Sequence, residues 1–208
     1  MKILMLNGSP HEAGSTFTAL KAAGQVFAAQ GVESEIVQIG KKPLNGCIAC
    51  GYCGEHKRCV FKDDGVNDFI EKAIEADAII IGSPTHFANP SGALIAFLDR
   101  VFFAYGMRNF DGKLGAAVVS CRRGGASAAF DVLNKYFTIS RMPVVSSQYW
   151  NQVHGNFAEQ TLQDEEGIQT VETLADQMVW LLKCIEAGRR EGIVVPAKRD
   201  AKHTNFIR

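Results

Sequence analysis

Short apolar runs alternate with stretches whose apolar residues recur at helical spacing along almost the whole chain. This alternation predicts β-α units building a mostly parallel sheet, because strands covered on both faces read as continuous Val, Ile and Leu. Five strands are expected, over residues 2–6, 33–39, 78–81, 114–120 and 143–147. Helical spacing links Leu20, Ala23 and Phe27 behind a Ser15-Thr16 cap, and Val66, Phe69, Ile70 and Ala73 behind Asp63-Asp64. Further helices are expected over residues 91–103 and 128–137. A last helix is expected along the stripe Val171, Leu174, Ala175, Met178, Leu181, Leu182 and Ile185, with Gly188 as its stop. Asp164, Glu165 and Glu166 stand where carboxylates complement a helix dipole. These units in this order make a doubly wound three-layer α/β sandwich with a five-stranded parallel sheet. Its ligand site lies where loops leave the carboxyl ends of the strands.

Composition narrows the class. A chain of 208 residues, 47% hydrophobic and 21% charged, forms one domain able to bury a core without disulfides. Its 22 Lys and Arg cancel 22 Asp and Glu, so the broad basic field of nucleic-acid binding is missing. No run approaches the roughly 18 apolar residues of a membrane helix. Residues 1–188 are expected to form the domain and residues 189–208 a basic solvated tail, with six Lys or Arg against two acids. The apolar run Ile3-Leu4-Met5-Leu6 is shorter than the roughly 7–15 residues of a secretory core, so a cytoplasmic location is expected. Of six cysteines four fall within residues 47–59, which reads as metal or redox chemistry rather than a disulfide scaffold.

Three loops then carry the chemistry. The first reads Asn7-Gly8-Ser9-Pro10-His11-Glu12-Ala13-Gly14-Ser15-Thr16 between a strand and a helix. Orphan backbone donors at the helix start, the macrodipole and the hydroxyls of Ser9, Ser15 and Thr16 suit a phosphate; an ordinary capped helix would also use such residues. Neither the Lys of a Walker A motif nor a full G-x-G-x-x-G is present, so a phosphate monoester fits better than ATP or a dinucleotide. The third-strand loop, Gly82-Ser83-Pro84-Thr85-His86-Phe87-Ala88-Asn89-Pro90-Ser91-Gly92, is rigid and can bond the edge of a flat heterocycle, with His86 or Phe87 near the ring. The fourth-strand loop, Ser120-Cys121-Arg122-Arg123-Gly124-Gly125-Ala126-Ser127, adds guanidinium groups and glycines that allow close approach. No G-x-S-x-G or H-E-x-x-H motif supports hydrolase chemistry.

Together, G-S-P-x-x-x-G-S-T, G-S-P-T-x-F-x-x-P-S-G-x-x-x-x-F-L-D-R and S-x-x-x-G-G resemble the flavodoxin-like NADPH-dependent FMN reductase family over residues 1–147. The resemblance implies FMN, with its phosphate held by Ser9, Ser15, Thr16 and either His11 or Phe17. It places the isoalloxazine against Ser83, Pro84, Thr85, His86, Phe87, Ala88, Ser120, Arg122, Gly124 and Gly125. Many relatives carry Arg where this chain has His11 and Asn where it has Ser15.

The crowded cysteines form C-x2-C-x2-C-x5-C at Cys47, Cys50, Cys53 and Cys59. Structural zinc sites usually draw two separated C-x2-C pairs, whereas one compact run is closer to cubane iron-sulfur ligation. The spacing also resembles the iron-sulfur flavoprotein branch of the family, which implies a [4Fe-4S] cluster here; zinc and unmetallated thiols are the alternatives. The expected function is an FMN oxidoreductase taking electrons from NAD(P)H as co-substrate and passing them to a flavin, quinone, nitro or azo compound, or a redox protein. The flavin carries the chemistry, so no catalytic side chain is assigned. A non-enzymatic FMN/iron-sulfur electron carrier and a cysteine-loop redox or metal sensor are the rival readings. Phe102, Phe103, Tyr105, Tyr149 and Trp150 offer an apolar patch for a homodimer or homotetramer, and Tyr149, Trp150 and His154 stand either over the flavin or at that interface.

Overall fold

The computed structural model describes residues 1–200, 202 and 204. In chain order the elements are β1 (Lys2–Asn7), α1 (Ser15–Ala29), β2 (Glu33–Gln38), α2 (Cys53–His56), α3 (Val66–Glu75), β3 (Ala78–His86) and β4 (Asn89–Pro90). There follow α4 (Gly92–Val101), a π-helical turn (Phe102–Gly106), α5 (Met107–Asn109), β5 (Leu114–Cys121), α6 (Ala126–Ile139), β6 (Gln152–His154), α7 (Ala158–Thr161) and α8 (Glu165–Arg190). Five strands lie in the order β2-β1-β3-β5-β6 and all pair in parallel, while β4 folds back antiparallel on β3. The order reverses between β1 and β3, the switch point of a flavodoxin-like sheet.

The sheet is buried on both faces because successive side chains of a strand point to opposite sides and both sets are apolar here. In β1, Leu4 and Leu6 join Phe69, Phe97, Leu98, Phe102, Leu133 and Phe137 in the layer of α3, α4 and α6. Ile3 and Met5 join Leu20, Phe27, Leu174 and Met178 in the layer of α1 and α8. Each such side chain stabilises the fold by roughly 1.5–3 kcal/mol. Gly82 lets α1 settle onto the sheet, and Gly8 lets the chain leaving β1 pass close to β3. A Cβ at Gly82 would stand 2.8 Å from Leu20 Cδ1 and 2.9 Å from Thr16 Cγ2, and one at Gly8 would stand 2.8 Å from the Gly82 carbonyl oxygen.

Several expected details are corrected. The strand expected over residues 143–147 is only an isolated parallel bridge from Val144 to Gly115. The chain then leaves the sheet and returns as β6 beside Val119–Cys121. β6 has one apolar residue among three, Val153, so it leaves no run in the sequence. Ser15 and Thr16 do not cap α1; Gly14 is the N-cap, without a side-chain capping bond. At α3 the cap residue is Gly65, while Asp64 Oδ1 accepts from Val66 N at 3.3 Å. Gly188 lies inside α8, which runs to Arg190. The stop is Gly192 at φ +80°, where Ile193 N reaches Gly188 O at 2.8 Å and Gly192 N reaches Arg189 O at 3.1 Å. This is the paired bonding of a Schellman end, which favours glycine at the left-handed position. The acidic start of α8 behaves as expected, with Asp164 Oδ1 accepting from Gly167 N at 3.1 Å and Glu165 and Glu166 in the first turn.

Beyond α8 the chain turns back. Arg141 Nη2 donates to Pro196 O at 2.8 Å and Lys198 Nζ pairs with Asp111 at 3.2 Å. Within the expected tail of residues 189–208, positions 201, 203 and 205–208 lie outside the described residues. Among those described, no helix is long and apolar enough to cross a membrane.

Candidate functional site

The loops after β1, β3 and β5 open into one cleft of about 700 Å³ at the carboxyl ends of the strands. Asn7, fully buried at the end of β1, organises the first loop. Its Oδ1 accepts from Ser9 N at 3.1 Å, and its Nδ2 donates to Gln38 Oε1 on β2. Gln38 Nε2 in turn donates to the Ser9 carbonyl, and Ser9 Oγ accepts from His11 N at 3.1 Å. The loop thus reaches α1 with a fixed path. The first intrahelical bond is Thr18 N to Gly14 O at 3.0 Å. The N–H groups of Ser15, Thr16 and Phe17 precede it and have no carbonyl of α1 to bind, which leaves them for an anion.

Thr16 Oγ1 and Ser120 Oγ lie 2.8 Å apart and tie the start of α1 to the end of β5. Two hydroxyls sharing one hydrogen bond keep a second O–H free to donate into the cleft. Ser15 Oγ donates to the Gly155 carbonyl at 3.2 Å.

The β3–β4 connection is a two-residue hairpin in which His86 pairs with Asn89 and both central residues are left-handed, Phe87 at φ 52° and Ala88 at φ 61°. That type I′ geometry normally takes Asn-Gly, so two residues bearing a Cβ sit here in a conformation costing of order 1–3 kcal/mol. Gly125, at φ +88°, packs on its tip; a Cβ there would stand 2.9 Å from Ala88 Cα. The two ring-side loops therefore touch each other.

Of the residues expected to bind cofactor, Ser9, His11, Ser15, Thr16, Pro84, Thr85, His86, Ser120 and Arg122 line the cleft together. Phe17 is half-buried and does not line the cleft. Ser83 is fully buried and works inside the fold, its Oγ donating to Pro84 O at 2.8 Å and accepting from Ser91 N at 3.0 Å. Phe87 and Ala88 form the exposed hairpin tip, and Gly124 and Gly125 shape the facing loop. The cleft also contains Lys41, Cys121, Gly155, Asn156 and Phe157, which the sequence did not single out. Placing the last strand at 143–147 had put its exit loop too early, whereas the exit of β6 begins at Gly155. Burial comes first among the causes that push the Cys121 thiol up, so it faces the cleft uncharged.

Tyr149 and Trp150 are exposed, in the excursion before β6, and lie outside the cleft. His154 lies near Asp164, its Nδ1 3.4 Å from Oδ2. Phe102, expected on a surface patch, is buried against Phe110, Tyr136 and Phe137 because it continues the stripe of Leu98 by one helical turn.

The residues fit FMN. The unbonded amides at the start of α1 would take its one phosphate, and the polar edge of its ring would lie by Thr85, whose buried Oγ1 has no hydrogen-bond partner in the protein. A buried hydroxyl left so costs roughly 1–3 kcal/mol unless a ligand satisfies it.

A second site gathers around the cysteines. Cys47, Cys50, Cys53 and Cys59 all line one pocket, walled by Ile48, Ala49, Val60, Phe61, Phe103 and Ala104, with Arg100 beneath. All are free thiols, Cys47 and Cys50 exposed and Cys53 and Cys59 half-buried. Among the described residues no three Cys, His or carboxylate side chains converge on a point suited to a single ion. A zinc ion needs ligands about 2.3 Å from one centre. A cubane instead takes one thiolate at each of four irons, so its ligands stand farther apart around a larger volume, and the four thiols around this apolar pocket fit that group.

The comparisons with known proteins agree with this geometry. The family model described as NADPH-dependent FMN reductase matches residues 1–156. An iron-sulfur flavoprotein of Methanocaldococcus jannaschii is 31% identical over 89% of this chain and 100% of its own length. Another, from Methanosarcina thermophila, is 31% identical over 91% of this chain and 99% of its own. A solved archaeal flavodoxin, 16% identical, superposes with a TM-score of 0.59 over 88% of this chain and 99% of that one, and shows the shared fold. On this match across the β-α units that build the cleft, the chain belongs to the NADPH-dependent FMN reductase family.

Proposed function

We propose that the protein is an FMN-dependent oxidoreductase that takes electrons from NAD(P)H and passes them to a flavin, quinone, nitro or azo compound, or a redox protein, with a [4Fe-4S] cluster at Cys47, Cys50, Cys53 and Cys59. The observation that carries the reading is the meeting of a helix N-terminus and two ring-side loops in a single cleft at the switch point. Bound FMN supplies hydride acceptance and its release as single electrons, and a cluster supplies one-electron transfer. The chain supplies the rest. The amides of Ser15, Thr16 and Phe17 and the free hydroxyl proton of the Thr16–Ser120 pair hold the phosphate, where the α1 dipole favours negative charge. Pro84, Thr85 and His86 hold the ring edge on a hairpin too constrained to follow the ligand. Lys41 and Arg122 at the rim supply cations for the phosphates of the nucleotide.

Free cysteines fit a reducing compartment, so a cytoplasmic location belongs to the proposal. So does a homodimer or homotetramer, with exposed Phe103, Tyr149 and Trp150 in the contact. Light scattering tests that part, and a strictly monomeric flavin-loaded protein contradicts it.

Anaerobic mixing of the FMN-loaded protein with NADPH or NADH tests the reaction. The oxidised flavin band should bleach with one of them, and turnover should follow when a quinone or azo dye is added. Bleaching without turnover marks an electron carrier. A protein that takes up no flavin at all returns the cysteine-loop sensor.

A further inference from the structure

Arg100 is the largest fully buried side chain among the described residues, and burying a guanidinium in an apolar layer costs several kcal/mol unless its donors are used. Each contact it makes reaches the cysteine loop. Nη1 donates to Asp64 Oδ2 at 2.5 Å and to Asn45 O at 3.3 Å, and the plane lies over the Phe61 ring at 4.9 Å. Nε donates to Cys59 Sγ at 3.1 Å. Nη2 is buried and has no partner in the protein. A side chain serving only to clamp the loop would be complete with Asp64 and Asn45. Here one donor is spent on a sulfur and another is left unused, on a residue that itself lines the pocket of four thiols. Immediately after Arg100 and Val101 the helix widens into the π turn that supplies Phe103 and Ala104 to the same pocket. Such bulges are rare and concentrate at functional sites.

We propose that Arg100 sets the reduction potential of the iron-sulfur centre, donating Nε–H to the Cys59 thiolate and Nη2–H to cluster sulfur. The proposal rests on the cluster reading above. Adding an electron increases the negative charge of the centre by one, so a fixed cation and two oriented N–H dipoles in a low-dielectric wall stabilise the reduced form more than the oxidised one. Arg100 is thus a positioning and tuning residue. It shares no lining with the flavin cleft, which predicts that its replacement moves the cluster and leaves the flavin alone.

The test uses the full chain, loaded with FMN and reconstituted anaerobically with iron and sulfide. Potentials of both centres are titrated in the parent, in Arg100→Lys, and in Arg100→Gln/Asp64→Asn, which leaves no unpaired buried charge. The electron affinity of the cluster should fall at least tenfold in the double variant, which is 59 mV for one electron. Arg100→Lys should fall between the two, and the flavin potential and FMN affinity should stay put. Equal cluster potentials in all three proteins overturn the proposal while leaving the cluster reading intact. A parent chain that takes up no iron overturns both. Pulsed EPR of the reduced parent carrying ¹⁵N-guanidino arginine stands independently of how the variants fold. A ¹⁵N coupling retained in Arg58→Lys supports the contact, and its absence overturns it.

Discussion

Replacing Ser15 and Thr16 together by alanine should weaken FMN binding by about 2–4 kcal/mol, or roughly 30- to 1,000-fold in Kd, as the oriented hydroxyl donor of the Thr16–Ser120 pair and the Ser15 hold on the Gly155 wall of the cleft are lost together. Thr16 is the larger contributor. It is almost fully buried and shares its hydrogen bond with Ser120, so its removal leaves Ser120 without the partner that orients its hydroxyl. The helix itself should survive, because Gly14 caps α1 and neither hydroxyl bonds the helix start. Alanine also has the higher helix propensity. Flavin fluorescence titration measures the loss, and an unchanged affinity in a folded double variant removes the phosphate from this helix.

The second large effect concerns iron. Protein reconstituted under nitrogen should carry about four irons per chain, as a cubane requires, and Cys53→Ser should carry far fewer. Cys53 opens α2 and is one of the two half-buried thiols, so it anchors the loop side of the pocket. Exposed Cys47 and Cys50 make the site vulnerable to air, so the assay must be anaerobic. Iron and sulfide assays with visible absorbance read the outcome. Negligible iron in both proteins reduces the four cysteines to a structural or sensory role and leaves the flavin reading standing.

The sheet was legible in the sequence wherever burial on both faces forced an unbroken apolar run, as at Ile79, Ile80 and Ile81 in β3. It was illegible at β6, an edge strand of three residues with a single apolar side chain, Val153. That one displacement hid the Gly155 to Phe157 side of the cleft. The candidate phosphate loop stood out because hydroxyls and glycines cluster between a strand and a helix, although an ordinary capped helix uses the same residues. The Thr16–Ser120 contact was not, since it joins residues that only the sheet order brings together. The cysteines announced themselves by spacing. Arg100 stood in the sequence only as the last letter of F-L-D-R, because its meaning depends on a loop some forty residues earlier folding over α4.

The central claim is that the switch-point cleft is an FMN site whose phosphate is recognised at the start of α1. The most direct measurement offers the flavin-free protein equal amounts of FMN, FAD and riboflavin, removes unbound ligand, and identifies the retained flavin by chromatography. The account predicts FMN at one per chain with riboflavin largely lost, since riboflavin lacks the phosphate. Retention of FAD in preference to FMN, or of riboflavin as readily as FMN, would contradict it.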